Sequence, residues 1–186
     1  MLTKKSMKSM TKKILNKLFH LLSMLFGVRG IRYILKTDIF ENIRVLLLRL
    51  SGAKIGKNTY IRSNLFITDP CNLTINSNSG ISRNASLYLY DKLYIGSNVQ
   101  IGSNLTVHTA EHKIQGIPST PIIERGVTNS KVIIEDDVYI GSNVTILSGV
   151  IIGSKSVIGA GSVVTKSLPG GYLYAGSPAI EKKLIK

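Results

Sequence analysis

An aliphatic side chain recurs every six residues through most of this chain. It stands at 55, 61 and 67, at 75, 81 and 87, at 95, 101 and 107, and again at 134, 140, 146, 152, 158 and 164. All fifteen rungs are Ile except Leu87, Val107 and Val164, and glycine follows the rung at Gly56, Gly96, Gly102, Gly141, Gly153 and Gly159. A short fixed period marks a solenoid, whose units bury their apolar side chains only by stacking on one another. Six is even, so the rungs share one strand face, and the Gly, Ser, Asn and Lys between them predict that one residue in six points inward. Strands of about two or three residues then alternate with corners. Gly, and Asn at Asn98, Asn104 and Asn143, tolerate the left-handed backbone such corners need. Three strands close a triangular coil of 18 residues, and fifteen rungs make five coils.

The first fifty residues have a different character. They hold eleven Lys or Arg against Asp38 and Glu41, and so most of the chain's net charge of +14. The stretch ILNKLFHLLSMLFGV at 14–28 is too short and too interrupted to span a bilayer, and it lacks the clean apolar centre and cleavage site of a signal peptide. Two readings stay open for it. Residues 1–28 form a basic amphipathic helix on a membrane surface, with Leu15, Leu18, Leu22 and Leu25 in the lipid, or they form a helix that caps the solenoid or packs on another subunit. A second helix is expected from Ile31 to Leu50, where apolar residues fall at helical spacing. No nucleic-acid motif or aromatic stacking patch accompanies the basic residues, so nucleic acid is not an expected partner. The lone Cys71 forms no internal disulfide, which fits a cytoplasmic chain.

The run IEDDVYIGSNVTILSGVIIGSKSVIGAGSVVTK from Ile134 to Lys166, followed by AGSPA at 175–179, closely resembles the hexapeptide-repeat acyltransferases. The likeness covers roughly residues 52–186. It implies an all-β solenoid, a left-handed parallel β-helix of about five coils with an N-terminal helical segment and a short C-terminal tail or helix. The hand comes from the resemblance, since the usual crossover preference is right-handed. The expected division is a helical segment at 1–51, a β-helix at 52–176 with a looped-out segment at 108–133, and a tail at 177–186.

The break in the ladder, 27 residues between Val107 and Ile134 where six would do, fits a functional loop, and it holds His108 and His112. In the resembling O-acetyltransferases a histidine follows an Ile-Gly-x-Asn-Val coil at a fixed distance. That coil is Ile95–Val99 here, and the counterpart is His112. Histidine, with an ordinary pKa of about 6.5, is suited to accept a proton from an acceptor hydroxyl. The family also implies an oxyanion donor at Gly141-Ser142, with Ser142 as the donor, and coenzyme A contacts at Gly141, Ser142, Ala160, Thr165 and Lys166. Many members place an arginine after the AGxPA sequence. This chain has Ile180 there, with Lys182 and Lys183 following, and Lys183 is the tail's candidate phosphate contact. Asn84, Asp91 and His108 are candidate acceptor contacts. The spacing of His108 and His112 occurs in zinc sites, but a third histidine is needed and only His20, outside the repeat, is left. No metal is expected.

The resemblance further implies a homotrimer with acetyl-CoA as acyl donor and a sites-between-subunits arrangement. The basic, leucine-rich leader resembles that of the members acting in capsule, exopolysaccharide or lipopolysaccharide assembly, where the acceptor is a sugar or glycan hydroxyl. A location in the cytoplasm, at the inner membrane face, would follow. Two other readings stay open: a soluble acetyltransferase for serine, a drug or an amino sugar, and a noncatalytic trimeric β-helix scaffold.

Overall fold

The computed structural model describes residues 37–114 and 120–185. The helix expected over 1–28, the start of the second helix and the centre of the looped-out segment lie outside the described residues. Among the described residues one helix, α1 (Thr37–Leu50), precedes the solenoid. The first coil is β1 (Lys54–Ile55), β2 (Tyr60–Ile61) and β3 (Phe66–Ile67), and the second is β4 (Leu73–Ile75), β5 (Gly80–Ile81) and β6 (Ser86–Tyr88). The third is β7 (Leu93–Ile95), β8 (Gln100–Ile101) and β9 (Thr106–His108). An arm of two antiparallel strands follows, β10 (Ala110–His112) and β11 (Val127–Asn129). The fourth coil is β12 (Val132–Ile134), β13 (Tyr139–Ile140) and β14 (Thr145–Ile146), and the fifth is β15 (Ile151–Ile152), β16 (Val157–Ile158) and β17 (Val163–Val164).

Each coil places one strand on each of three parallel sheets. Face one runs β1-β4-β7-β12-β15, face two runs from β2 through β5, β8 and β13 to β16, and face three runs β3-β6-β9-β14-β17. This is the parallel β-helix that the repeat implies, with the left hand that the resemblance adds. It has an unfinished sixth coil. Leu168 bridges Ile152, and β18 (Tyr172–Ala175) adds to β16 in parallel, with Tyr174 opposite Ile158. The tail is a strand, β19 (Ile180–Leu184), antiparallel to β18.

Two expectations need correction. The core is wider than one residue in six, because the residue two before each rung also points inward. Leu65, Leu73, Leu93, Val99, Leu105, Val132, Val138, Val144 and Val150 are all buried in this way. The serines at that position, Ser79, Ser156 and Ser162, are equally buried, and each hydroxyl donates to a carbonyl of a corner: Gly96, Pro169 and Gly159 respectively. The coil length is also not uniform. Thr74 pairs with Lys54 and Tyr94 with Thr74, a step of 20, whereas Ile133 pairs with Ile151, a step of 18. The extra residues lie in the turns from face three to face one, the first of which holds a short helical turn at Pro70–Asn72 capped by the Asp69 carboxylate.

Asparagine builds two of the corners. Asn64, Asn84, Asn104 and Asn143 all have φ near +60°, and each side-chain amide donates to the carbonyl oxygen of the next, at 2.9, 3.0 and 2.8 Å. Asn58, Asn78 and Asn98 repeat the device on the neighbouring edge. At the start of the solenoid, where no earlier coil pairs with the strands, α1 supplies donors. The buried Arg44 guanidinium donates to the Ile61 carbonyl, and Arg49 donates to the carbonyls of Ile55 and Gly56. Burial lowers the Arg44 pKa from its ordinary value, with Glu41 opposing. Val45 and Leu48 from the same helix close the core.

Candidate functional site

The candidate residues divide between two edges of the prism. Asn84, Gly141, Ser142 and Ala160 follow strands of face two, at the corner leading to face three. Asp91, the arm bearing His112, and Thr165 and Lys166 follow strands of face three, at the corner leading to face one. A face about six residues long separates these edges by at most about 20 Å. The histidine and the Gly141-Ser142 step thus stand on different edges of one chain.

On the first edge, Gly141 is buried beneath the next coil. A Cβ built there would lie 2.6 Å from the Ala160 nitrogen, and the Gly141 N–H donates to the Ile158 carbonyl at 2.8 Å. Glycine is needed for this approach, but its N–H is already used. Ser142 differs. Its Oγ accepts from the Ser103 N–H one coil below at 3.2 Å, and its carbonyl accepts from the Gly161 N–H at 2.9 Å. The pairing of Ile140 with Ile158 sets Ala160 one coil above Ser142. Ala160 has no side-chain acceptor, so the Ser142 N–H has no partner among the described residues, nor has its hydroxyl hydrogen. Ala160 is exposed, and its small side chain leaves that N–H open to a ligand. Asn84 spends one amide hydrogen and one lone pair on the ladder, which leaves one of each.

On the second edge, Thr109 organises the turn. Its fully buried hydroxyl accepts from the N–H groups of Tyr90 and Asp91 at 2.8 and 2.9 Å and donates to the Tyr88 carbonyl at 3.2 Å. Its own carbonyl accepts from the Ser130 N–H, which closes the base of the arm. Asp91 accepts from the Lys92 N–H through one carboxylate oxygen, leaving the other open. His112 is the last residue of β10, opposite Val127, and its side chain is exposed. His108 stands on face three with its ring stacked on Tyr88, centroids 4.8 Å apart and planes parallel. Thr109 and the Tyr88 stack were not singled out from the sequence. Their signal was present in the 20-residue spacing of Tyr88 and His108 and in the lone threonine between a rung and the loop.

Thr165 and Lys166 are exposed on the fifth coil, and Lys183 is exposed on β19 opposite Leu173. Among the described residues no group of three His, Cys, Asp or Glu side chains is placed to hold a metal ion, and no helix is long and apolar enough to cross a membrane.

Comparison with known proteins is consistent with this arrangement. The family profile for the hexapeptide repeat of succinyl-transferase matches residues 131–166. Over 141 residues the chain is 33% identical to WcaF of Escherichia coli strain K12, named as a colanic acid biosynthesis acetyltransferase, covering 74% of this chain and 72% of that one. A galactoside O-acetyltransferase of Lactococcus lactis is 42% identical over 82 residues, covering 44% of this chain and 38% of the relative. Among solved structures, a maltose O-acetyltransferase of Clostridium difficile superimposes with a TM-score of 0.77 at 29% identity, over 93% of this chain and 89% of that one. A hexapeptide-repeat acetyltransferase of Vibrio cholerae solved with acetyl coenzyme A gives 0.76 at 26% identity, over 94% and 88%. Sequence likeness over most of the chain, a repeat of six that builds three parallel faces, and a looped arm after the third coil together place this chain in the hexapeptide-repeat acetyltransferase family.

Proposed function

We propose that this protein transfers an acetyl group from acetyl-CoA to a hydroxyl of a sugar or glycan, and that it does so as a homotrimer. The observation that carries the reading is the open Ser142 N–H, a pre-placed backbone donor that the small Ala160 one coil above leaves accessible. A tetrahedral intermediate of acyl transfer needs such a donor for its oxyanion. An imidazole nitrogen of His112 removes the acceptor proton as the hydroxyl oxygen attacks the thioester carbon. The Ser142 N–H and hydroxyl stabilise the oxygen charge, the C–S bond breaks, and the imidazolium returns its proton to the departing thiolate. Thr165 and Lys166, exposed on the fifth coil at the edge that also carries the arm, line the course of the coenzyme A arm, and Lys166 and Lys183 offer charge to its phosphates.

The two-edge arrangement supports a trimer. Base and oxyanion donor stand on different edges of one prism, and a threefold axis sets the first edge of one subunit against the second edge of the next, giving three equal sites. The acetyltransferases of sugars among its relatives favour a hydroxyl acceptor. Likeness to the colanic acid relative favours an acceptor used in cell-surface polysaccharide assembly, at the cytoplasmic membrane face.

Thiol release from acetyl-CoA, measured against a panel of sugars, nucleotide sugars, serine and glycan fragments, tests the reading beside His112→Ala. Acceptor-dependent release that falls by about a hundredfold or more in the variant is expected. No release with any acceptor, together with no acetyl-CoA binding by calorimetry, would leave the noncatalytic scaffold. Light scattering at low micromolar concentration should give three times the chain mass of 20.3 kDa. A monomer would sink the shared site.

A further inference from the structure

The helix α1 is apolar on two sides, and the solenoid covers one of them. Val45 and Leu48 close the core, and the buried Arg44 between them and the first coil donates to the Ile61 carbonyl. Ile43, Leu46 and Leu50 fall at i, i+3 and i+7 and so share a stripe on the opposite side of the helix. They are 38%, 54% and 55% exposed, and among the described residues nothing buries that stripe. A helix that is apolar all round is ordinarily covered all round.

The charge at this end of the molecule narrows what the cover is. Residues 1–70 hold fourteen Lys or Arg against Asp38, Glu41 and Asp69, and residues 1–36 hold nine with no acidic residue. Glu41 faces Arg62 at 3.8 Å, and Asp69 caps the turn at Pro70–Asn72. Arg49 on α1 and Lys54 and Lys57 on the first coil are exposed. A second copy laid on the stripe would bring the same positive charge with it. Three side chains about half exposed also fall well short of the about 800 Å² per partner that a stable protein interface buries. Residues 1–36 folded back over the stripe would cover the leucines but leave their nine cations without counter-charge. An anionic bilayer answers both needs, since apolar side chains enter the acyl boundary while Lys and Arg meet the headgroups.

We propose that the Ile43, Leu46 and Leu50 face of α1 docks on an anionic lipid bilayer, with the first coil of the solenoid turned toward the lipid. Subunits packed edge against edge about a threefold axis hold their prisms side by side, so the three copies of α1 lie at the same end and bind one membrane together. The inference deepens the membrane-face part of the functional reading, and it does not depend on acetyl transfer.

The chain has no tryptophan, so Leu46→Trp is a single reporter on the stripe. With the full chain, vesicles of equal parts phosphatidylglycerol and phosphatidylcholine should shift its emission to the blue, and brominated lipid should quench it. Vesicles of phosphatidylcholine alone should do neither. In flotation with the anionic vesicles, the double variant Leu46→Gln with Leu50→Gln should bind about tenfold or more weakly than the parent. Glutamine preserves helix propensity, and thiol release with a soluble acceptor should stay within about twofold of the parent. Emission that anionic vesicles leave unchanged would overturn the proposal, whether red because the stripe stays in water or blue because residues 1–36 or a second copy already cover it. Undiminished flotation of the double variant would overturn it too, since the lysines alone would then hold the lipid. Vesicle binding by a chain that moves no acetyl group would sink the transferase and keep the docking surface, and acetyl transfer without vesicle binding would do the reverse.

Discussion

Ser142 and Ala160 occupy the same corner one coil apart, and the change from hydroxyl to methyl between them leaves the Ser142 N–H without an acceptor. One coil lower the Ser142 hydroxyl fills that role for Ser103 at 3.2 Å. Of the register partners Ser63, Arg83, Ser103 and Ser142 at this corner, only Ser103 has its N–H bonded to the side chain one coil above.

Restoring the hydroxyl is a direct test. Ala160→Ser places a hydroxyl one coil above Ser142, within reach of its N–H. Acetyl transfer should fall by about a hundredfold or more as the donor is diverted, close to what the loss of one oxyanion donor costs. The melting temperature should stay level or rise, because the new bond adds about 0.5–1.5 kcal/mol. Undiminished kcat in a well-folded variant would remove Ser142 from the chemistry.

Asn84 separates a ladder role from a substrate role. Asn84→Gly keeps the backbone at φ 60° unstrained while removing the amide that bonds both Asn64 and Asn104. A ladder role predicts a loss of about 1–2 kcal/mol of stability in denaturant titration, with an unchanged acceptor KM. An added rise in acceptor KM would show that the remaining amide hydrogen and lone pair touch the acceptor.

Arg44 closes the open first coil. Arg44→Met keeps much of the side chain's bulk but leaves the buried Ile61 carbonyl without its donor, which should cost about 1–3 kcal/mol. The loss should appear in thermal or urea unfolding while acetyl-CoA binding per folded molecule is unchanged.

Tyr174 sets an alkaline limit. Burial, then the charges of Glu181 and Tyr172, raises its pKa above the ordinary value of 10.0, and its hydroxyl donates to the Pro169 carbonyl at 2.7 Å. The folded chain holds this proton more tightly than the unfolded one. The contribution is therefore complete below about pH 10 and declines as pH rises through the raised folded-state value. Tyr174→Phe should be less stable at pH 8 by about 1 kcal/mol and should lose less stability between pH 9 and 11 than the parent. Parallel curves would contradict the assignment.

Much of this architecture can be read in the sequence. Fourteen of the fifteen rungs are buried, Ile55 being the half-buried exception at the open end, and Asn98, Asn104 and Asn143 sit at the positive-φ corners that their residue type suits. Less legible was the second inward column. Its residues range from Leu65 and Val99 to Ala85 and Ser79, and this mixture of sizes and polarities blurs a period that the isoleucines keep clean. The position of His112 could be counted, but its relation to Ser142 could not, because that depends on which edge of the prism each corner forms.

What the sequence determined by itself was the repeat, the corner chemistry and the place of the looped arm, because a solenoid's contacts are set by a fixed residue offset along the chain. The tertiary structure alone decided which polar groups are used up and which stay open. Gly141 spends its N–H on Ile158 and Ser142 does not, while Thr109 draws Tyr90 and Asp91 together and Tyr88 meets His108 ring to ring. Hydrogen-bond partners here lie 17 to 39 residues apart. Which donor finds an acceptor follows from the stacking of coils of unequal length, and no local pattern records it.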